Sequence, residues 1–130
     1  MLRLYIHNDA EEDLERLWAF EPQAAAKIGV LLEELEGNSS LLDRLTQQDF
    51  GAYGLEDFHV TKWQEQQRKG RNLWRVKIWD LEKMGIRYRI VYAFIARQQD
   101  YSVLGIVPRE FNYDASHELT RRIIAAYENL

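Results

Sequence analysis

The sequence predicts an α+β fold in which one mainly antiparallel sheet packs against helices. Residues 72–113 contain three runs that alternate between apolar residues and basic or small ones, which is the period of a β-strand. Before and after these runs, apolar residues recur at the spacing of amphipathic helices. The order of these patterns, a short strand, two helices, a three-stranded meander and a last helix, indicates one domain over residues 1–130.

The N-terminal third is expected to form a strand and a helical hairpin. A strand over residues 2–7 alternates apolar residues with others, namely Leu2, Leu4 and Ile6 with Arg3 and Tyr5. Asn8 or Asp9 is expected to cap the first helix. Pro22 begins the second helix, which ends at Gly37. Because both helices are amphipathic and adjacent, they are expected to cover the apolar face of the sheet.

The meander is predicted to have one apolar and one basic face. Two of its runs place cations opposite apolar residues: Arg75 and Lys77 opposite Trp74, Val76 and Ile78, and Arg87 and Arg89 opposite Tyr88, Ile90 and Tyr92. The third run puts Leu104 and Ile106 on one face, and Val103, Gly105 and Val107 on the other. Alternation past Pro108 adds Arg109 to the basic face, and a helix is expected over residues 116–128.

Residues 38–71 are the least regular part of the chain. Leu41, Leu42 and Leu45 suggest a helical turn or two, and residues 58–63 alternate well enough for an additional strand. The segment is interpreted as an insertion in the domain.

Charge is unevenly distributed in this chain, whose net charge is −4. Residues 1–67 hold five Lys and Arg against fourteen Asp and Glu, whereas residues 68–109 hold ten against three. A basic segment in an acidic chain attracts phosphate locally and repels it at long range, so binding should be selective and salt-dependent. A merely solvated charged surface is less favoured, because these cations alternate with apolar residues.

Composition and spacing exclude several classes of site. The chain has no cysteine, which excludes disulfides and thiolate chemistry. Its three histidines have no ligand-like spacing, so no metal site and no cofactor are expected. No apolar stretch reaches the roughly 18 residues of a membrane span. The expectation is a protein of the cytoplasm with no membrane partner.

A cluster of cations on a rigid sheet is suited to phosphate, and Gly105 is expected to leave room for a ligand near the backbone. Trp79 is placed on the basic face, where it is a candidate to stack on a nucleobase. Arg87 and His117 are further candidate RNA contacts. His117 also begins the last helix, where capping is a sufficient explanation for a histidine.

Residues 73–77, 87–92 and 106–113 resemble the RelE/ParE superfamily of toxins from type II toxin–antitoxin systems, in particular its ribonuclease branch, RelE and HigB. The resemblance covers most of the chain and is strongest from residue 72 onward. It implies a RelE-like fold and a metal-independent mRNA endoribonuclease, active on the ribosome and neutralised by an antitoxin protein. The residues that match the phosphate-contacting positions of that branch are Arg75, Lys77, Arg89, Arg109 and Tyr113.

Cleavage of RNA without a metal needs a base, a stabiliser of the phosphate charge and an acid. Arg89 and Arg109 are permanently charged and suit the second task. Lys77 is a candidate base because neighbouring cations favour its neutral form, and Glu110 is an alternative. Tyr113 or His117 is the candidate acid.

Two other functions stay open at this stage. The first is a ParE-like toxin that inhibits DNA gyrase or another topoisomerase by binding, without nuclease activity. The second is a relative that binds RNA but does not cut it. The cleavage sequence, the need for the ribosome, the antitoxin and the oligomeric state are not encoded in any pattern of the sequence.

Overall fold

The computed structural model describes residues 2–111, 113–114 and 116–130, so that Asn112 of the 106–113 motif lies outside the description. Five strands form one mixed sheet, and they are β1 (Arg3–Ile6), β2 (Phe58–Lys62), β3 (Leu73–Ile78), β4 (Tyr88–Ile95) and β5 (Asp100–Pro108). The strand order is β1-β5-β4-β3-β2, with β1 parallel to β5 and all other neighbours antiparallel. The α+β class is confirmed. The sheet has five strands, not the three of the expected meander, because β1 and β2 add to its two edges.

Six α-helices accompany the sheet in the described residues, and they are α1 (Asn8–Phe20), α2 (Pro22–Glu36), α3 (Ser39–Asp43), α4 (Gln64–Arg68), α5 (Trp79–Lys83) and α6 (Glu118–Glu128). Short 3-10 turns follow α3 and β5, at Arg44–Thr46 and Arg109–Phe111. In the described part of the chain, no helix is long and apolar enough to cross a membrane.

Histidines cap two of the helices. The Nδ1 atom of His7 accepts the backbone N–H of Asp9 at 3.0 Å, so the expected cap at Asn8 or Asp9 is wrong by one or two residues. His117 Nδ1 accepts the N–H of Leu119 at 3.0 Å and starts α6 at Glu118, two residues later than expected. In both cases an imidazole nitrogen replaces the oxygen that Ser, Asp or Asn usually supplies.

One side of the sheet, here called the first face, is covered by α1, α2 and the α3 segment. Its core combines helix residues such as Ile28 and Leu32 with strand residues such as Val76 and Ile90. Tyr92 is only 1% exposed, and its hydroxyl donates to the carbonyl of Leu45 at 2.7 Å. The helical hairpin and the apolar strand face therefore pack as predicted, and residues 38–46 contribute to the same core.

A β-bulge in β5 changes which residues face each side. Val91 lies opposite Gly105 and Tyr92 lies opposite Val103, so Leu104 is an extra residue between the two pairs. As a result Val103 and Ile106 belong to the core of the first face, whereas Leu104 and Val107 belong to that of the other. The expected grouping of these residues is wrong, because strict alternation does not survive a bulge.

The opposite side, here called the second face, is only partly covered. Helix α6 packs Ile123 and Ala126 against the strands, together with Phe111 from the turn after β5. The strand residues beneath are Leu73, Val91, Ala93, Leu104 and Val107. The rest of this face, over β2, β3 and the start of β4, carries the polar and basic side chains.

Asp13 joins α1, β5 and α6. Its side chain is 7% exposed and accepts the backbone N–H of Ile106 at 3.0 Å, at the edge of β5 beyond the end of β1. Arg122 of α6 donates to both carboxylate oxygens, at 2.9 and 2.6 Å, and Arg16 donates to one at 2.7 Å. Hydrogen bonding to Asp13 raises the pKa of Arg122.

The space next to Gly105 is filled by the protein itself. A Cβ atom at this position would lie 3.1 Å from Nη2 of Arg122 and 3.3 Å from Cδ1 of Ile123. The expectation that Gly105 leaves room for a ligand is therefore wrong. The absence of a side chain there lets α6 approach the sheet and lets Arg122 reach Asp13.

We expect Asp13→Ala to lower the free energy of unfolding by about 3–5 kcal/mol, because it leaves the Arg122 charge and the Ile106 N–H without their acceptor. Urea unfolding followed by circular dichroism measures this. Lys27→Ala is the control: it breaks an exposed pair with Asp80 at 3.3 Å and should change the same quantity by less than about 1 kcal/mol. Equal losses in the two variants would contradict the role assigned to Asp13.

Candidate active site

The uncovered part of the second face presents a group that we call the basic cluster: Arg75, Lys77, Arg89, Glu82 and Tyr113. The register of the strands brings its members together. On β2, Thr61 lies opposite Arg75 and His59 lies opposite Lys77. Arg75 in turn lies opposite Val91 of β4, two residues beyond Arg89. The alternation in the sequence thus identified three cations that share one face.

Arg75 is held by a hydrogen bond and by an aromatic ring. Its Nε donates to the hydroxyl of Thr61 at 2.8 Å, and its guanidinium carbon lies 4.5 Å from the ring centre of Tyr113. A guanidinium over an aromatic face is attracted by the ring quadrupole. The contact fixes the direction of the fork without neutralising its charge.

Arg89 forms a two-point ion pair with Glu82 of α5. Nη1 and Nη2 of the arginine each donate to one carboxylate oxygen at 3.1 Å, and Nη1 also donates to the carbonyl of Tyr88 at 3.1 Å. The two side chains are 18% and 17% exposed, so the pair is largely but not wholly removed from water. Its geometry matches the bidentate arrangement that arginine also makes with phosphate.

Lys77 lies beside two aromatic rings. Its Nζ is 4.8 Å from the ring centre of Trp79, and the imidazole of His59 stacks on the same indole at 5.7 Å with 5° between the planes. The indole N–H donates to the carbonyl of Gly51 at 2.8 Å, and His59 Nε2 lies 3.1 Å from Oδ1 of Asp49. Trp79 therefore lies next to the basic cluster, and Lys77 and His59 both contact its ring.

Tyr113 closes the cluster from the connection between β5 and α6. Its ring makes edge contacts with Trp63 and Phe111, at 5.2 and 5.1 Å between ring centres. Its φ of 55° lies in the left-handed region, which non-glycine residues occupy only when the surroundings impose it. The backbone thus holds the ring under Arg75.

The hydroxyl of Tyr113 is buried and makes no hydrogen bond of good geometry among the described residues, although Arg75 lies close enough to lower its pKa through a hydrogen-bonding contact. Burial raises the pKa of Tyr113, while the charges of Arg75 and Arg89 act in the opposite direction and that of Glu82 raises it further. At neutral pH the hydroxyl is therefore protonated.

Arg109 and Arg87 lie elsewhere. Both are exposed, and the N–H of Arg109 donates to the carbonyl of Arg87 at 3.0 Å. They line an open cavity of about 330 Å³ together with Glu21 and Tyr88, on the side of the helical hairpin. None of the cations of the basic cluster lines that cavity among the residues described. The structure brings Arg75, Lys77, Arg89 and Tyr113 together and leaves Arg109 at a separate position.

His117 and Glu110 were the alternative acid and base. His117 is exposed, caps α6 and makes an edge contact with Phe111 at 5.2 Å. Glu110 is exposed and lines the Arg109 cavity rather than the basic cluster. In the described ranges, no group of three or more His, Asp or Glu side chains is arranged to hold a metal ion.

Sequence reasoning missed Glu82, Thr61 and His59. Thr61 and His59 belong to a strand that was only suggested, and their register against β3 follows from no local pattern. Glu82 stands on a five-residue helix inserted between two strands of the meander. The available signal was that Asp80 and Glu82 are the two acidic residues between β3 and β4, in the most basic stretch of the chain.

Comparisons of the chain with family models, with curated proteins and with solved structures found no match.

We expect the hydroxyl of Tyr113 to ionise above the usual tyrosine pKa of about 10. An ultraviolet alkaline titration of the wild-type protein minus that of Tyr113→Phe isolates this group. In an Arg75→Gln background the difference titration should move to still higher pH, because Arg75 favours the ionised phenol. Ionisation of Tyr113 below the usual value, or no change on removing Arg75, would contradict this description.

Proposed function

We propose that this protein is the toxin of a type II toxin–antitoxin system and acts as a metal-independent mRNA endoribonuclease. The observation that carries the proposal is the basic cluster, in which three cations share one face of a rigid sheet and two of them, Arg75 and Arg89, lie close to a buried, protonated tyrosine hydroxyl. The resemblance of residues 72–113 to RelE and HigB adds to it.

The cluster supplies two of the three functions that metal-free cleavage needs. Arg75 and Lys77 are positioned to bind a phosphodiester, and Arg89 is positioned to stabilise the charge on its non-bridging oxygens. Tyr113 is suited to protonate the 5′-oxygen as it leaves. In this arrangement the 2′-hydroxyl attacks phosphorus, and the products carry a 2′,3′-cyclic phosphate and a 5′-hydroxyl.

Arg109 has a different place in the proposal. Because it lies with Arg87 in the cavity beside Tyr88, we assign it to binding the RNA backbone away from the scissile phosphate. The negative charge of residues 1–67 repels RNA at long range while the local cations bind its phosphates, so affinity should fall steeply with salt.

The proposed antitoxin neutralises the protein by covering the basic cluster. Displacement of α6 is a second route, but the helix is anchored by the Arg122–Asp13 pair and by Tyr127, whose hydroxyl accepts the backbone N–H of Asn72 at 3.2 Å. Releasing it would break a buried ion pair, which favours the first route.

A second candidate function is a ParE-like toxin that binds and inhibits gyrase or another topoisomerase. The observation that favours it is the Arg89–Glu82 pair, because one of the three cations is already neutralised within the protein. Growth arrest with intact mRNA, together with inhibition of purified gyrase, would support this candidate instead.

We expect induction of the protein without its antitoxin to stop growth and truncate mRNA. Because cleavage by the cluster needs no metal, the purified protein should also cut RNA in EDTA and leave cyclic phosphate and 5′-hydroxyl ends. Mapping of the fragment ends decides the question even where EDTA disturbs a ribosome-based assay. Products with 5′-phosphate ends would contradict the mechanism.

Lys77→Ala should slow single-turnover cleavage by a factor on the order of 10²–10³, because a cation that binds the scissile phosphodiester is lost. Its stability should change by less than about 1 kcal/mol, since the Lys77 side chain is only half-buried and lies over the Trp79 ring. Lys69→Ala is the matched control, because it removes a lysine that pairs with Glu65 on α4. Similar rates for the two variants would place the active site elsewhere.

A further inference from the structure

The proposed reaction also needs a base that removes the proton of the 2′-hydroxyl. Lys77 is assigned above to phosphate binding, and Glu110 lines the separate Arg109 cavity. Among the described residues, Glu82 is the carboxylate of the basic cluster, where it forms a two-point pair with Arg89.

The donors of Arg89 leave room for a phosphate beside Glu82. A guanidinium has five N–H donors. Nη1 uses both of its hydrogens, one to Glu82 and one to the carbonyl of Tyr88, and Nη2 uses one to Glu82. The remaining Nη2–H and the Nε–H have no acceptor among the described residues. These two hydrogens lie along one side of the guanidinium, here called its side edge, whereas Glu82 binds at its end, through Nη1 and Nη2. Arg89 can therefore bind a phosphate through this edge while Glu82 stays on its end.

Glu82 also keeps the capacity to accept a proton. Each carboxylate oxygen has two lone pairs and accepts a single N–H from Arg89. The side chain is 17% exposed, so a ribose on the surface of the cluster can reach it. In RNA the 2′-hydroxyl is adjacent to its own phosphate, so a phosphate on the side edge of Arg89 brings that hydroxyl toward the end of the fork, where Glu82 lies.

We propose that Glu82 is the general base of this site and that Arg89 holds it next to the scissile phosphate; this rests on the function proposed above. The 2′-hydroxyl gives its proton to a carboxylate oxygen of Glu82 as the O2′–P bond forms. The P–O5′ bond breaks, and the leaving 5′-oxygen takes the proton of the Tyr113 hydroxyl. Water then returns a proton to Tyr113 and removes one from Glu82, which restores both groups.

The charged surroundings of Glu82 suit this role. The titratable and charged groups that face it are Arg89 of β4 and Tyr113 of the connection to α6, and the Tyr113 hydroxyl is also influenced by Arg75 of β3. Arg89 orients the carboxylate through two hydrogen bonds. Because Arg89 both holds Glu82 and binds the phosphate in this proposal, the base is already in position when the substrate binds.

The test uses Glu82→Gln, which keeps the size of the side chain and removes its basicity, with Asp80→Asn as the matched control. Asp80 stands on the same helix and also forms an ion pair, with Lys27 at 3.3 Å. Single-turnover cleavage is measured on an RNA that the wild-type protein cuts. Binding is measured with the same sequence carrying 2′-O-methyl groups, which block the attack.

We expect Glu82→Gln to slow cleavage by a factor on the order of 10²–10⁴ and to bind the methylated RNA at least as well as the wild type, because the positive charge of Arg89 is no longer offset. Asp80→Asn should cleave and bind like the wild type.

Three outcomes would overturn the assignment. Cleavage by Glu82→Gln at the wild-type rate means that another group is the base, while the proposed nuclease function stands. Parallel losses of cleavage, binding and thermal stability mean that Glu82 only supports the fold. A wild-type protein that cuts no RNA, free or on ribosomes, removes the proposed function and the base together.

Discussion

The buried carboxylate of Asp13 is the constraint on which the arrangement of this molecule depends. It closes the free edge of β5 by accepting the N–H of Ile106, and it draws α6 to the sheet through Arg122. An ion pair of this kind repays its desolvation only when its geometry is good and its other lone pairs are used, and here the backbone N–H and Arg16 use them. Gly105 is part of the same arrangement, because a side chain there would crowd Arg122. The anchored helix covers one part of the second face and leaves the other part open.

The open part can carry several cations because each of them is restrained by a different partner. Arg75 lies on the ring of Tyr113, Lys77 on that of Trp79, and Arg89 is paired with Glu82. Aromatic faces orient a charge at little electrostatic cost and leave it available to a ligand. Among the described residues, one of the three cations forms an internal ion pair, so the cluster keeps a positive field in a chain with a net charge of −4. Fixed donors of this kind are what an enzyme needs to stabilise a charge that develops during reaction.

The sequence predicted the class of fold and one face of the sheet, since period-two alternation is a local property. That property held through β3 and β4 and correctly joined Arg75, Lys77 and Arg89. It failed at Leu104, where the bulge of β5 interrupts the alternation. Alternation resumes after the bulge, and Val107 lies on the second face as expected. Arg109 does not join it because β5 ends at Pro108 and Arg109 begins a 3-10 turn beside another cavity. Bulges are set by packing between strands, which no single strand reveals.

The partners of the cations could not be predicted from the sequence either, because they depend on how separate elements pack together. Glu82 reaches Arg89 because a short helix folds back over the strand that follows it, and Thr61 reaches Arg75 because β2 pairs with β3 in one particular register. These contacts decide the chemistry, since a carboxylate beside a phosphate ligand makes a base possible and a cation alone does not. A list of basic residues on one face therefore identifies a site that can bind phosphate. In the proposed mechanism, the helix that carries Glu82 and the connection that carries Tyr113 add the proton transfers to this site.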